Sequence, residues 1–187
     1  MEADLVATQQ IDLKVDTDLE HAHISADGLP VDETIVSDSL GQLKRYRLIQ
    51  QLGSGAMDIV YLAHDLMLSR YIIIKVPRID DANYNYEVVR FRFRREAQAI
   101  AQLDHPGICR LHDFGEVGGL PYLTMTYIKG KPLSHFLATK QFQVRQAVVL
   151  VGRIAKALRH AHLQGVLHRD LKPANILINQ EGKPIVT

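Results

Sequence analysis

Asp170, Lys172 and Asn175 stand close together in the run His168-Arg169-Asp170-Leu171-Lys172-Pro173-Ala174-Asn175. An aspartate and an asparagine at this spacing share a short turn, so both can face one site. A carboxylate placed there can accept or orient the proton of a hydroxyl group. A side-chain amide oxygen beside it can hold a metal ion, and a lysine can neutralise developing negative charge. Three weaker signals precede this run. Gly53-Ser54-Gly55 lies between two apolar segments, and a backbone without Cβ atoms lets a ligand approach closely. Lys75 follows Tyr71-Ile72-Ile73-Ile74, a β-branched run in which a charged group needs a partner. Glu96 lies beside the apolar stripe of an amphipathic segment.

The elements that must carry these residues follow from periodicity. Residues 46–52 roughly alternate and read as a strand, and Ile59–Ala63 reads as a second strand after the glycine turn. Tyr71–Val76 is a third. Over 85–103 the recurrence of Val89, Phe93, Ala97, Ile100 and Leu103 predicts a helix, closed by His105-Pro106-Gly107. Strands are expected around Ile108–Phe114 and Leu120–Tyr127, then a loop over 129–132 and a short helix near Leu133–Thr139. Residues 143–163 predict a long helix. Its expected apolar stripe is Val144, Ala147, Val148, Val151, Ile154, Ala155, Leu158 and Ala161, with Gly165 as its stop. Ile176–Ile178 and Pro184–Val186 read as a hairpin.

Composition narrows the class. The chain has 187 residues and is 47% apolar, enough for a packed core in one domain of ordinary size. Its near-neutral charge hides an asymmetry. Residues 1–43 hold 10 acids and a single lysine, Lys14, so the remainder is basic. The acidic segment has no aromatic residue and is expected to be a disordered tail. The basic remainder suits a phosphorylated ligand. Its basic residues form no dense run beyond 90–95, which argues against nucleic acid. A single cysteine, Cys109, excludes an internal disulfide and fits a reducing, cytoplasmic setting. No apolar run approaches the roughly 18 residues that span a bilayer, and no signal peptide is expected. His160 and His162 are expected to be packing or surface residues on the long helix.

Glycine hairpin, strand lysine, helix glutamate and H-R-D-x-K-x-x-N stand here in one chain order. In that order the chain resembles the protein kinase family over residues 46–187, and Leu171-Lys172-Pro173-Ala174-Asn175 is similar to the serine/threonine branch. The Gly-Ser-Gly-x-Met and Val-Tyr-Leu-Ala runs, with Arg95-Glu96-Ala97 and Leu103-Asp104-His105-Pro106, resemble bacterial kinases of the eukaryotic type. The resemblance implies an α+β, protein-kinase-like fold. Its complete N-terminal lobe (44–127) would be a five-stranded antiparallel sheet plus one helix, and its partial helical C-terminal lobe would span 128–187.

The resemblance also implies roles. ATP would be held by Leu52, Gly53, Ser54, Gly55, Ala56, Val60, Lys75, Glu96, Met125, Thr126, Ile128 and Leu177. Within that set Lys75 would meet the α- and β-phosphates and pair with Glu96. Met125 would back the adenine pocket, and the Thr126 C=O and Ile128 N–H would bond the adenine edge. Asp170 and Lys172 would be catalytic and Asn175 would ligate Mg2+. The implied reaction is ATP-dependent phosphoryl transfer to serine or threonine hydroxyls of a protein substrate. The alternative is a pseudokinase-like module that binds nucleotide or protein without catalysis.

Three departures qualify the match. Asp113-Phe114-Gly115 spells the kinase metal motif but precedes the H-R-D run and ends a strand, so it is not expected to hold metal. The metal motif itself is expected just after Thr187, so the chain alone is expected to be inactive or weakly active, with the exposed face of helix 143–163 free for a partner. Asp58 replaces the third glycine of G-x-G-x-x-G and brings negative charge near the phosphates. Ile73 replaces the usual alanine two residues before the lysine and narrows the adenine pocket.

Overall fold

Alternation in Asp58–Asp65 and Arg70–Pro77 decides which way the first sheet faces. Ile59, Tyr61 and Ala63 pair across to Val76, Ile74 and Ile72 and form one fully buried face. The opposite parity puts Asp58, Val60 and Leu62 beside Pro77, Lys75 and Ile73 on the other face. The structure, a computed structural model, describes residues 44–55, 58–78, 86–139 and 142–187. The expected acidic tail over 1–43 lies outside the described residues.

Two compact units divide the chain. The first, among the described residues, comprises 44–104 and Cys109–Tyr127. It holds β1 (Tyr46–Ser54), β2 (Asp58–Asp65), β3 (Arg70–Pro77), α1 (Tyr86–Ile100), β4 (Leu111–Val117) and β5 (Leu120–Thr126). The strands form one antiparallel sheet of order β1-β2-β3-β5-β4. Tyr46, Leu120 and Tyr122 complete its buried face, with the Tyr46 and Tyr122 rings edge to face at 6.2 Å. On the Lys75 side, Leu123 packs with Phe93 and Ala97 of α1, so the helical stripe read from sequence does bind the sheet. The ion pair of Arg90 with Glu116, at 2.8 Å, ties α1 to β4 as well.

The second unit comprises His105–Ile108 and Ile128–Thr187. Here β6 (Gly130–Pro132), β7 (Ile176–Asn179) and β8 (Pro184–Val186) make a small antiparallel sheet. α2 (Leu133–Thr139) and α3 (Val144–Leu163) pack on it through Leu133, Phe136, Leu150, Ile154 and Ala157. His160 stacks near His105 with ring centroids 5.4 Å apart, a packing contact.

Three expectations are corrected. Residues 129–132 are not a plain loop, because β6 pairs with β7 there. A Cβ at Gly130 would collide with the Ile178 carbonyl, so this close pairing depends on glycine. The strand expected from Ile108 begins instead at Leu111. Ile108 makes a lone parallel bridge to Val186, and the Arg110 carbonyl accepts the Thr126 N–H at 2.9 Å. The stripe of α3 is rotated from the expected one: Leu150, Ile154, Ala157 and Ala161 are buried, while Val144, Val148 and Val151 are exposed. The helix carries apolar residues on more than one face, and Leu150 and Ala157 align with Ile154 toward the sheet.

The end of α3 follows the sequence. Gly165 adopts φ +73°, its N–H reaches the His162 carbonyl, and the Val166 N–H reaches that of Ala161. This paired closure satisfies carbonyls that the helix would leave unbonded and needs a left-handed residue. No helix among the described residues is long and apolar enough to cross a membrane.

Candidate active site

Lys75 is central to β3, and the sheet directs its side chain to the face that α1 covers. Its Nζ lies 2.7 Å from Glu96 Oε1 and 5.8 Å from the centre of the Phe93 ring. Lys75 is also 3.0 Å from Asp58 Oδ2. Burial works to lower the pKa of this ammonium, but Glu96, and after it Asp58, more than offset that, and the net shift is upward. Lys75 is therefore a fixed positive charge with two carboxylate partners.

The β1–β2 hairpin shapes the neighbouring surface. Gly53 pairs with Val60 and Ser54 with Ile59, and the Gly55 N–H closes the turn on the Asp58 carbonyl at 2.7 Å. A Cβ at Gly53 would meet nothing within 4 Å, and one at Gly55 would only touch the Asp58 carbonyl at 3.6 Å. Internal packing thus does not demand these glycines. Leu52 is exposed, Val60 is half-buried, and Ser54 accepts a hydrogen bond from Arg78 at 3.5 Å. Ala56 lies outside the described residues. Ile73 pairs with Met125 and with Leu62, so the larger residue at this position occupies the same face as Lys75.

Met125 and Thr126 end β5. The Thr126 N–H bonds to Arg110, and its carbonyl accepts a weak bond from the Cys109 thiol at 3.4 Å. Burial pushes the Cys109 thiol up to about 11, so it stays protonated and inert. The first unit thus brings Lys75, Glu96, Val60 and Met125 onto one face of the sheet or against it. Ile128 and Leu177 belong to the second unit, where Leu177 sits in β7 opposite Ile185.

That second unit assembles the remaining chemistry around Asp170. Lys172 Nζ and Asn175 Nδ2 both donate to Asp170 Oδ2, at 2.8 and 3.0 Å. Asn175 Nδ2 also donates to the Asp170 main-chain oxygen at 2.9 Å. The bond from Lys172 holds the Asp170 carboxyl below the usual carboxylate range; desolvation opposes it, and the bond from Asn175 adds to the lowering. The Asn175 amide nitrogen is thus the atom that bonds Asp170, and its oxygen is the group of this side chain able to act as a hard oxygen ligand. Arg169 adopts φ +62°, a left-handed conformation uncommon for arginine, and the Asp170 N–H bonds back to the His168 carbonyl. His168 Nε2 donates to the Thr187 main-chain oxygen at 3.0 Å, and the Thr187 N–H bonds to the Asn175 carbonyl. These ties anchor the turn to the end of β8.

The decoy triplet has a structural explanation. Asp113-Phe114-Gly115 lies within β4, where Asp113 is half exposed and accepts the Phe114 N–H. A Cβ at Gly115 would collide with the Tyr122 ring, so the glycine serves sheet packing. Among the described residues no group of three His, Cys, Asp or Glu side chains could hold a metal ion. The Asp58–Lys75 pair was the feature that sequence reasoning missed. It follows from the β2–β3 register, which sets Val60 opposite Lys75 and places Asp58 on the same face.

Sheet with one helix, ion-paired strand lysine and the Asp170–Asn175 turn together define the protein kinase class. The protein kinase domain matches residues 46–187, and the chain belongs to the protein kinase family. Among its relatives, the serine/threonine-protein kinase PrkC of Bacillus subtilis is 42% identical over 144 residues, covering 76% of this chain and 22% of PrkC. The serine/threonine-protein kinase PknB of Mycolicibacterium smegmatis is 41% identical over 143 residues, covering 74% of this chain and 23% of PknB. The crystal structure of the PknI kinase domain of M. tuberculosis superimposes with a TM-score of 0.63 at 31% identity, covering 76% of this chain and 57% of that one. The chain thus spans about a fifth of the length of the curated relatives it matches.

Proposed function

We propose that these residues serve ATP-dependent phosphoryl transfer to serine or threonine hydroxyls of a protein substrate. The observation that carries the reading is the Asp170 cluster. A carboxylate held ionised and oriented by Lys172 and Asn175 is suited to align a hydroxyl for attack. The proposed steps follow from the chain's own groups. Asp170 orients the substrate hydroxyl and receives its proton as the hydroxyl oxygen bonds the γ-phosphorus, the bond from that phosphorus to the β–γ bridging oxygen breaks and ADP leaves. Its depressed pKa makes it chiefly an orienting group until late in the transfer. Lys172 neutralises charge on the moving phosphoryl group. Lys75, held by Glu96, meets the nucleotide's phosphates, and the hairpin glycines, which packing does not require, leave room for their approach. Met125 and the Thr126 carbonyl, at the end of β5, receive the adenine.

Mg2+ would fit the Asn175 amide oxygen, a hard oxygen donor, because the bonds of this side chain to Asp170 are made by its nitrogen. When bound, the ion supplies charge neutralisation on the phosphates. A cytoplasmic setting is supported by the single cysteine, which is buried and reduced. The exposed valines of α3 support a protein contact on that face.

The test is transfer of label from γ-labelled ATP to serine or threonine of a protein substrate by the full gene product that carries these residues. We expect transfer that Asp170→Asn lowers by about two orders of magnitude or more. Nucleotide binding without any Asp170-dependent transfer would contradict the reading and favour a nucleotide-binding module.

A further inference from the structure

The third position of the G-x-G-x-x-G pattern holds Asp58, and its carboxylate does not point away from the site. The Gly55 N–H bonds the Asp58 carbonyl at 2.7 Å, and β2–β3 register turns the Asp58 side chain to the Lys75 face. Asp58 Oδ2 and Glu96 Oε1 share one ammonium, at 3.0 and 2.7 Å, so the trio carries a net negative charge. Glu96 lies on α1, away from the hairpin, and orients Lys75. Asp58 instead lies on the hairpin, the element that contacts phosphates in the function proposed above. A phosphate that bonds Lys75 must displace Asp58 or accept it as a neighbour.

We propose that Asp58 is a specificity-determining residue that makes the site prefer metal-complexed over free nucleotide. The inference rests on the reading of Lys75 as a phosphate-binding group. Its physics is a difference in charge. A like charge a few ångströms from the polyphosphate repels it in proportion to the charge it carries, and a divalent ion cancels two of those charges. Free nucleotide is therefore penalised more than its Mg2+ complex. The carboxylate is also a second partner for Lys75, beside Glu96.

The experiment is calorimetric titration of the full gene product with ATP, once in EDTA and once in excess Mg2+, at low and high salt. The proteins compared are the parent, Asp58→Asn, Asp58→Gly and a control, Asp113→Asn, whose carboxylate lies on β4. Removing the Asp58 charge should tighten free ATP about tenfold and Mg·ATP about threefold, and high salt should shrink both gains. Asp113→Asn should behave as the parent. Asp58→Gly guards against a fold defect peculiar to the asparagine, and a melting curve of each variant shows that it is folded. If the parent binds ATP and both Asp58 variants bind it with the parent's affinity and metal preference, or more weakly, the assignment to Asp58 is overturned and the nucleotide site stands. Folded proteins that bind no ATP in either condition would overturn the nucleotide reading of Lys75 itself, and the Asp58 assignment with it.

Discussion

Asp170 and Lys75 show how far single residues can be read and where reading stops. The H-R-D-x-K-x-x-N spacing is informative because a turn of that length has few ways to fold. The structure closes it with two donors on one carboxylate oxygen. The partner of Lys75 was legible as Glu96 by resemblance. The second partner, Asp58, was not, because cross-strand neighbours depend on register, which composition does not fix. Two predictions belong here. Glu96→Gln leaves Lys75 to Asp58 alone and should weaken ATP binding by about three- to tenfold, measured by calorimetry. Unchanged affinity would mean that Glu96 does not orient the lysine. Asp170 has a carboxyl pKa held below its ordinary value, so its ionised form persists to lower pH than a free aspartate. The contribution of Asp170 to transfer should be flat from about pH 7 to 5 and fall only below the ordinary aspartate value of about 3.9. A pH–rate profile with an Asp170-dependent loss near pH 6 would contradict the assignment.

At the scale of elements, periodicity succeeded where one face dominates and failed where two compete. The α1 stripe was legible because Val89, Phe93 and Ala97 recur at helical spacing, while Val88 and Phe91 fall off that spacing and stay exposed. α3 has valines on one side and Leu150, Ile154, Ala157 and Ala161 on another, and only tertiary packing chooses between them. β6 was invisible because three residues carry no period and its pairing depends on Gly130 approaching the Ile178 carbonyl. The stop of α3 was legible because Gly165 is the residue that tolerates φ +73°. Gly165→Ala has space for its Cβ but not the conformation, so it should cost about 1 kcal/mol by urea denaturation. A neutral or stabilising result would contradict the left-handed closure.

Across the whole molecule, acid stability and activity make the broadest tests. Asp65 is only 1% exposed and bonds Arg45 twice, at 3.2 and 2.9 Å, and the Met67 and Leu68 N–H groups. The bond from Arg45 holds its carboxyl below the ordinary range, partly opposed by burial and aided by the bond from Leu68. The folded protein thus keeps Asp65 ionised where an unfolded chain takes up a proton. That stability is complete above the unfolded pKa of about 3.9 and is lost as pH falls through the lower folded value. Asp65→Asn should cost about 2 kcal/mol at pH 7, with Arg45 partly exposed and able to rehydrate, and should flatten the loss of stability below pH 4. Denaturation curves that show equal acid sensitivity in parent and variant would contradict it. The family was legible from the order of four motifs, whereas what the chain's exposed α3 valines meet was not, since a surface pattern names no partner. The central claim is that Asp170 serves phosphoryl transfer, and its most direct measurement compares label transfer from γ-labelled ATP by the full gene product with that by Asp170→Asn. The account predicts transfer to serine or threonine that the substitution lowers by about two orders of magnitude or more while ATP binding is retained. Equal transfer by both proteins would contradict it.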